Sequence, residues 1–188
     1  MGKPLFILAS ASPRRTEILE LAHIKHIVIP SSCEEIIDET LTPAETVQSL
    51  AIQKALDIYK QYPNDIVIGA DTIVVIDNQI LGKPKNEEEA IAMLSKLSNR
   101  THKVITGVAI YSKDEKIVFA EETLVTFKEL TKENILEYIT LENVYDKAGA
   151  YAIQGMSCRY IEKIDGDYYN VMGLPISSLY EKLKNIIS

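Results

Sequence analysis

The chain has 188 residues, 46% of them hydrophobic and 25% charged, and a net charge of −7. This is the balance of a globular chain long enough to bury its own core, as one domain or as two small lobes. The negative charge argues against a general nucleic-acid binder, which needs a basic face, but leaves room for a small anionic ligand that needs only a few cations gathered locally.

The N-terminus has no apolar stretch followed by a small-residue cleavage site, so no signal peptide is expected. No run is long and apolar enough to span a bilayer, so no membrane partner is expected. Residues 5–9 read as a short strand, and Ser12-Pro13 opens a helix to about residue 22, with Ser as N-cap and Pro in the first turn. Residues 26–29 read as a second strand. Cys33 and Cys158 are the two cysteines and lie far apart. They form neither a disulfide framework nor a zinc pattern, which predicts a reducing, cytoplasmic setting. Thr42-Pro43-Ala44-Glu45 is a capping box that starts a helix to about residue 59. Residues 66–76 are β-branched and buried in character, as one strand or a pair.

Asn86 precedes a helix to residue 97. Strands are predicted over 104–110 and 117–127 around a polar turn, then a helix from Thr131 to about 140 and a strand over 159–164. Pro175 opens the last helix, with Ile176, Leu179, Leu183 and Ile187 inward. Strands and helices alternate early and a hairpin occupies the middle, which predicts a mixed α/β sheet.

Three features resist explanation as packing. Asp71 is the one acid in Ile66-Val67-Ile68-Gly69-Ala70-Asp71-Thr72-Ile73-Val74-Val75-Ile76. A buried carboxylate must be paired, metal-bound or protonated; the competing reading is a turn residue, with Gly69 marking a bend. Lys54 shares a helix face with Val47, Leu50, Ala51 and Ile58, so its ammonium either meets an anion or snorkels to water. Ser10-Ala11-Ser12-Pro13-Arg14-Arg15 places two hydroxyls and two guanidiniums at a helix start, which suits phosphate; two solvated arginines behind an ordinary cap is the alternative. Glu34-Glu35 and Lys83 read either as ligands or as solvated charges. His102 reads as a structural histidine, and Tyr168-Tyr169 as core rather than a stacking platform.

In this order the pieces resemble the Maf family, the septum-formation family of nucleotide pyrophosphatases, nearly end to end. The strings are Leu8-Ala9-Ser10-Ala11-Ser12-Pro13-Arg14-Arg15, Gly69-Ala70-Asp71-Thr72, Leu81-Gly82-Lys83-Pro84 and Thr101-His102-Lys103-Val104-Ile105-Thr106. Asp146-Lys147-Ala148-Gly149-Ala150-Tyr151-Ala152-Ile153-Gln154-Gly155 and Asn170-Val171-Met172-Gly173-Leu174-Pro175 complete them. The match is loose over 156–160.

The resemblance implies one domain over 1–188 with an inosine-triphosphatase-like α/β fold: a mixed twisted sheet flanked by helices, in two lobes around a deep cleft. It also implies a divalent cation, Mg²⁺ or Mn²⁺, and a homodimer. Asp71 matches the family's proton acceptor and metal-side carboxylate, and Glu35 a second metal-side acid. Ser10, Arg15, Lys54 and Lys83 match the phosphate-binding set. Arg14, Thr72 and Gln154 carry the pattern of the branch that cleaves dTTP and UTP, rather than the sibling branch acting on methylated guanosine triphosphate.

The implied reaction is water attack at the α-phosphorus with release of pyrophosphate, which demands cations around the phosphates. Asp71 serves as base, metal ligand or both. Uracil and thymine present a carbonyl acceptor beside an N–H donor, which a fixed Gln154 amide can match and which cytosine reverses. A non-catalytic, nucleotide-binding regulator of division is the alternative in another class.

Overall fold

The computed structural model describes residues 4–187, and the side chain of Ile187 lies outside the described residues. The strands are β1 (Phe6–Leu8), β2 (Ile27–Val28), β3 (Ile66–Ile76), β4 (Gln79–Leu81), β5 (Thr101–Tyr111), β6 (Lys116–Phe127) and β7 (Ile161–Asp165). The helices are α1 (Pro13–Leu21), α2 (Pro43–Tyr59), α3 (Glu87–Leu97), α4 (Lys132–Leu141), α5 (Tyr168–Met172) and α6 (Ile176–Ile187). The strand order is β2-β1-β3-β5-β6-β7, with β4 paired to β3. β1 runs parallel to both β2 and β3, whereas β3–β4 and β6–β7 are antiparallel. The sheet is therefore mixed, as the alternation of elements predicts. No helix among the described residues is long and apolar enough to cross a membrane.

Two compact units share the chain. The first comprises the chain up to Asp71, residues Thr106–Glu121 and the stretch from Gly173 onward; the second comprises Thr72–Ile105 and Glu122–Met172. Strands β3, β5 and β6 each contribute residues to both. In the first unit Ile7, Ala9, Ala51, Ala55, Ile58, Val67, Ala109 and Tyr111 form a core, and α6 buries Leu179 and Leu183. In the second, Val74, Leu94, Leu97, Phe127, Tyr138, Tyr151 and Tyr160 belong to a core rich in aromatic rings.

The structure differs from the predicted elements where they are short. β4 follows β3 through a two-residue turn in which Asp77 and Asn78 both take positive φ (51° and 59°), the hairpin geometry that Asp and Asn tolerate best. The second strand shrinks to two exposed residues. Gly155–Arg159 is a 3₁₀ turn, so β7 begins at Ile161. Ser12 occupies the N-cap of α1 but its side chain makes no capping bond; its N–H instead donates to Ser10 Oγ at 3.2 Å. Tyr168 and Tyr169 are 41% and 36% exposed rather than core. The short helix α5 turns Asn170 and Met172 inward instead, and the Asn170 amide donates to the Val104 carbonyl and to Thr123 Oγ.

His102 is buried, as a structural histidine should be. Its Nε2 lies 2.7 Å from Tyr151 Oη, and its ring meets those of Phe127 and Tyr151 edge to face. Burial pushes its pKa from 6.5 down to about 4. In that interval the unfolded chain binds a proton that the native fold refuses, so stability is complete above pH 6.5 and is lost as pH falls toward 4. The contribution at pH 5 is about 2 kcal/mol. Urea unfolding at pH 7.5 and 5 should show this loss in the wild type. It should be largely absent in His102→Gln, which does not titrate; equal losses in both proteins would assign the acid sensitivity elsewhere.

Candidate active site

Strand β3 runs unbroken through Asp71, so this residue is not at a turn. Apart from the half-buried Thr72 and from Gly69, the strand on either side of it consists of buried apolar residues, and its own side chain is 16% exposed. The partner it needs is Lys54, whose Nζ donates to Asp71 Oδ1 at 2.5 Å. The same ammonium lies 3.0 Å from Glu35 Oε1. Lys54 is only 16% exposed, which rules out snorkelling, while Glu35 on its loop is 45% exposed. One lysine therefore joins two carboxylates.

This placement starts with α2. Its capping box is formed as predicted: Thr42 Oγ1 accepts from the Glu45 N–H while the Glu45 carboxylate accepts from the Thr42 N–H. Val47, Leu50, Ala51, Ala55 and Ile58 are buried along the helix. Its approach to the sheet is unusually close at two glycines. A Cβ on Gly69 would run into the Ala51 carbonyl oxygen and lie 2.7 Å from the Ala55 nitrogen. A Cβ on Gly107 would run into the Val47 carbonyl and lie 2.6 Å from the Gln48 nitrogen. Gly69 thus marks no bend; it lets helix backbone sit on strand backbone. Residues 69 and 71 point to the same face of the strand, so the face that receives α2 is the face that carries Asp71.

Arg15, in the first turn of α1, is 9% exposed. Its Nε donates to the Gly173 carbonyl at 2.8 Å and its Nη1 to Ser10 Oγ at 2.9 Å. Burial lowers its pKa below the ordinary guanidinium value; Asp71 and Glu35 oppose that shift and Arg14 adds to it. Arg15 thus belongs to the same electrostatic group as Asp71 and Glu35. The first turn of α1 contains no acid, and the positive end of a helix favours an anion.

Ser10, Arg14, Arg15, Glu35, Lys54 and Asp71 all belong to the first unit. Thr72, Lys83 and Gln154 belong to the second. Thr72 follows Asp71 on β3 and is half-buried. Lys83 is exposed in the turn after β4, where the Gly82 carbonyl accepts from the Gly149 N–H at 3.0 Å. Gln154 is half-buried just before the 3₁₀ turn. The Gly173 carbonyl and the two close-approach glycines were missed by sequence reasoning, although Gly69 and Gly173 sit inside strings that drew attention for other reasons.

Among the described residues no group of three or more His, Cys, Asp or Glu side chains is arranged to hold a metal ion. The pair Asp71 and Glu35 still suits a small hard cation. Mg²⁺ keeps several waters and is commonly bound through one or two carboxylates plus substrate phosphates.

A family model described as Maf-like protein matches residues 5–186. The dTTP/UTP pyrophosphatase of Geobacillus sp. (strain WCH70) is 49% identical over 180 residues, covering 96% of this chain and 97% of the relative. The dTTP/UTP pyrophosphatase of Bacillus cereus (strain Q1) is 52% identical over 178 residues, covering 95% and 93%. Among solved structures, a HAM1 protein from Coxiella burnetii superposes with a TM-score of 0.56 at 16% identity, covering 97% of this chain and 99% of that one. The Staphylococcus aureus Ham1 protein gives 0.54 at 18% identity, covering 96% and 98%. These two likenesses show a shared fold.

The glycine contacts make a direct prediction. Gly69→Ala forces α2 away from β3 and should cost about 1–3 kcal/mol of stability. Gly82→Ala, whose Cβ meets nothing within 4 Å, should stay within about 0.5 kcal/mol of wild type. Urea denaturation of the two variants measures the contrast; equal stability would mean that the helix seat is not tight.

Proposed function

The chain belongs to the Maf family, and on that premise we propose that it hydrolyses dTTP and UTP to the monophosphate and pyrophosphate. The observation that carries the chemistry is the Lys54 ammonium bound to both Asp71 and Glu35, in the electrostatic reach of Arg15. A structural ion pair needs one acid. A second acid and a buried arginine at a helix start are the equipment for phosphate chemistry.

In the proposed reaction the oxygen of a water molecule bonds to the α-phosphorus as the bond from that phosphorus to the α–β bridging oxygen breaks. Pyrophosphate leaves with the bonding pair. Asp71 orients the water and accepts its proton. Arg14 and Arg15, with the N–H groups of the α1 start, receive phosphate oxygens, and the Ser10 and Gly173 bonds hold the Arg15 fork in one orientation. Lys54 and Lys83 supply further positive charge for the oxygens that gain charge in the transition state. Asp71 and Glu35 would hold Mg²⁺ or Mn²⁺, which when bound neutralises phosphate charge and acidifies water.

Gln154 reads the base, and Thr72 and Arg14 complete the specificity pattern that the family resemblance assigns. Its amide donates to a pyrimidine carbonyl and accepts from the neighbouring N–H. The proposal extends to the chain acting as a single domain over 1–188, as a cytoplasmic homodimer without nucleic-acid or membrane partners; the family match along nearly the whole chain supports the single domain. Pyrophosphate release from dTTP and UTP with Mg²⁺ or Mn²⁺, abolished by a chelator, is the test. A protein that binds these nucleotides without releasing pyrophosphate is a regulator instead.

Asp71→Asn keeps the side-chain shape and should eliminate turnover in a folded protein; near-normal activity of a pure sample would sink the mechanism. Lys54→Ala should lower kcat/KM by about 2–4 kcal/mol of transition-state stabilisation, read from steady-state kinetics with UTP.

Gln154→Ala should cost UTP and dTTP far more than CTP, so that the ratio of their kcat/KM values falls toward one. A mutant that keeps the full preference would show that another residue reads the base.

A further inference from the structure

We infer that Glu142 is a positioning residue for pyrimidine selection, because its carboxylate fixes the backbone that presents Gln154. The inference builds on the reading of Gln154 as the base reader. Glu142 stands at the C-terminal end of α4, in extended conformation, with its N–H bonded to the Tyr138 carbonyl. A carboxylate there faces the negative end of the helix dipole and is unfavourable for the helix itself. Its position is explained by what it holds: Glu142 Oε1 accepts from the Met156 N–H at 3.0 Å. That N–H belongs to the opening of the 3₁₀ turn at Gly155–Arg159, where early N–H groups have no partner within the turn.

Gln154 immediately precedes this turn, with φ −82° and ψ 155°. Gly155 then takes φ +83°, and a Cβ there would lie 2.9 Å from Glu142 Oε1. The reversal after Gln154 therefore rests on the left-handed backbone of Gly155, a conformation that favours glycine, directly beside the seat of the carboxylate. On the other side of Gln154, the Ala152 N–H donates to Tyr138 Oη at 3.4 Å, and Ser157 Oγ donates to the Ala152 carbonyl. Ile153 is buried. Tyr138 and Ser157 hold the segment from residue 152, and Glu142 holds it from residue 156. Hydrogen-bond direction discriminates between bases only where the amide stands at a fixed distance and angle to the base edge, and these anchors fix the backbone from which the Gln154 side chain starts.

The test is the ratio of kcat/KM for UTP to that for CTP in wild type, Glu142→Ala, Glu142→Gln, Gly155→Ala and Gln154→Ala, with thermal unfolding of each protein. Glu142→Ala and Gly155→Ala should each lower the ratio about tenfold or more, through loss on UTP with CTP nearly unchanged. Glu142→Gln keeps an oxygen acceptor and should retain most of the preference, a rescue that loss of fold would not show. Should Glu142→Ala not fold, Gly155→Ala carries the comparison. An unchanged ratio in Glu142→Ala and Gly155→Ala, beside a collapsed ratio in Gln154→Ala, overturns the positioning role alone. An unchanged ratio in Gln154→Ala overturns the base-reading role, and this inference with it.

Discussion

A carboxylate in the middle of an apolar strand must find a cation, and much of the first unit is arranged so that Asp71 does. Removing charge from water costs several kcal/mol per ion unless a close partner and further hydrogen bonds compensate. Lys54 supplies the partner, but only because α2 lies close enough to β3 for its ammonium to reach. That closeness is set by backbone, not by side-chain interlock: Gly69 and Gly107 remove the atoms that would hold the helix off, and Ala51 and Ala55 keep its facing side small. The capping box at Thr42 fixes where the helix begins, and hence which of its residues falls opposite Asp71.

The second unit is stabilised differently. Its core stacks Phe127, Tyr151 and His102 edge to face. Edge-to-face rings give directional packing on top of area burial. The same unit anchors the segment around Gln154 through hydrogen bonds that Tyr138 Oη and Glu142 Oε1 accept from the Ala152 and Met156 N–H groups. The two units thus draw on two kinds of stabilisation: an ion-pair network in one and aromatic packing with backbone anchoring in the other.

The sequence is most legible where a residue violates the pattern around it. Asp71 in an apolar strand and Lys54 on an apolar helix face stand out for the same reason, and the structure brings them together. The long periodic elements α2, α3, β3, β5 and β6 are readable because their patterns extend over several repeats. β4, α5 and the 3₁₀ turns are too short to show a period, and tertiary contacts decide them. Tyr168 and Tyr169 read as core in the sequence, but a five-residue helix has few inward positions and Asn170 takes one for its hydrogen bonds. Gly69 was visible but ambiguous: a glycine in a strand signals a bend or a close approach equally well. Glu142 gave no sign at all, since an acid after a helix reads as solvated until its Met156 partner is seen.

The rim of the first unit at β2 is apolar in composition yet only two residues long. Ile27 and Val28 expose β-branched side chains, a chemistry that on a longer, flatter strand would template intermolecular pairing. Two residues present too few ladder groups to hold a foreign strand in register. Lys25 precedes the strand and Pro30 closes off its far side, each a residue that interrupts ladder growth. The shortness of this edge therefore leaves an apolar border with little capacity to template the addition of a strand from another chain.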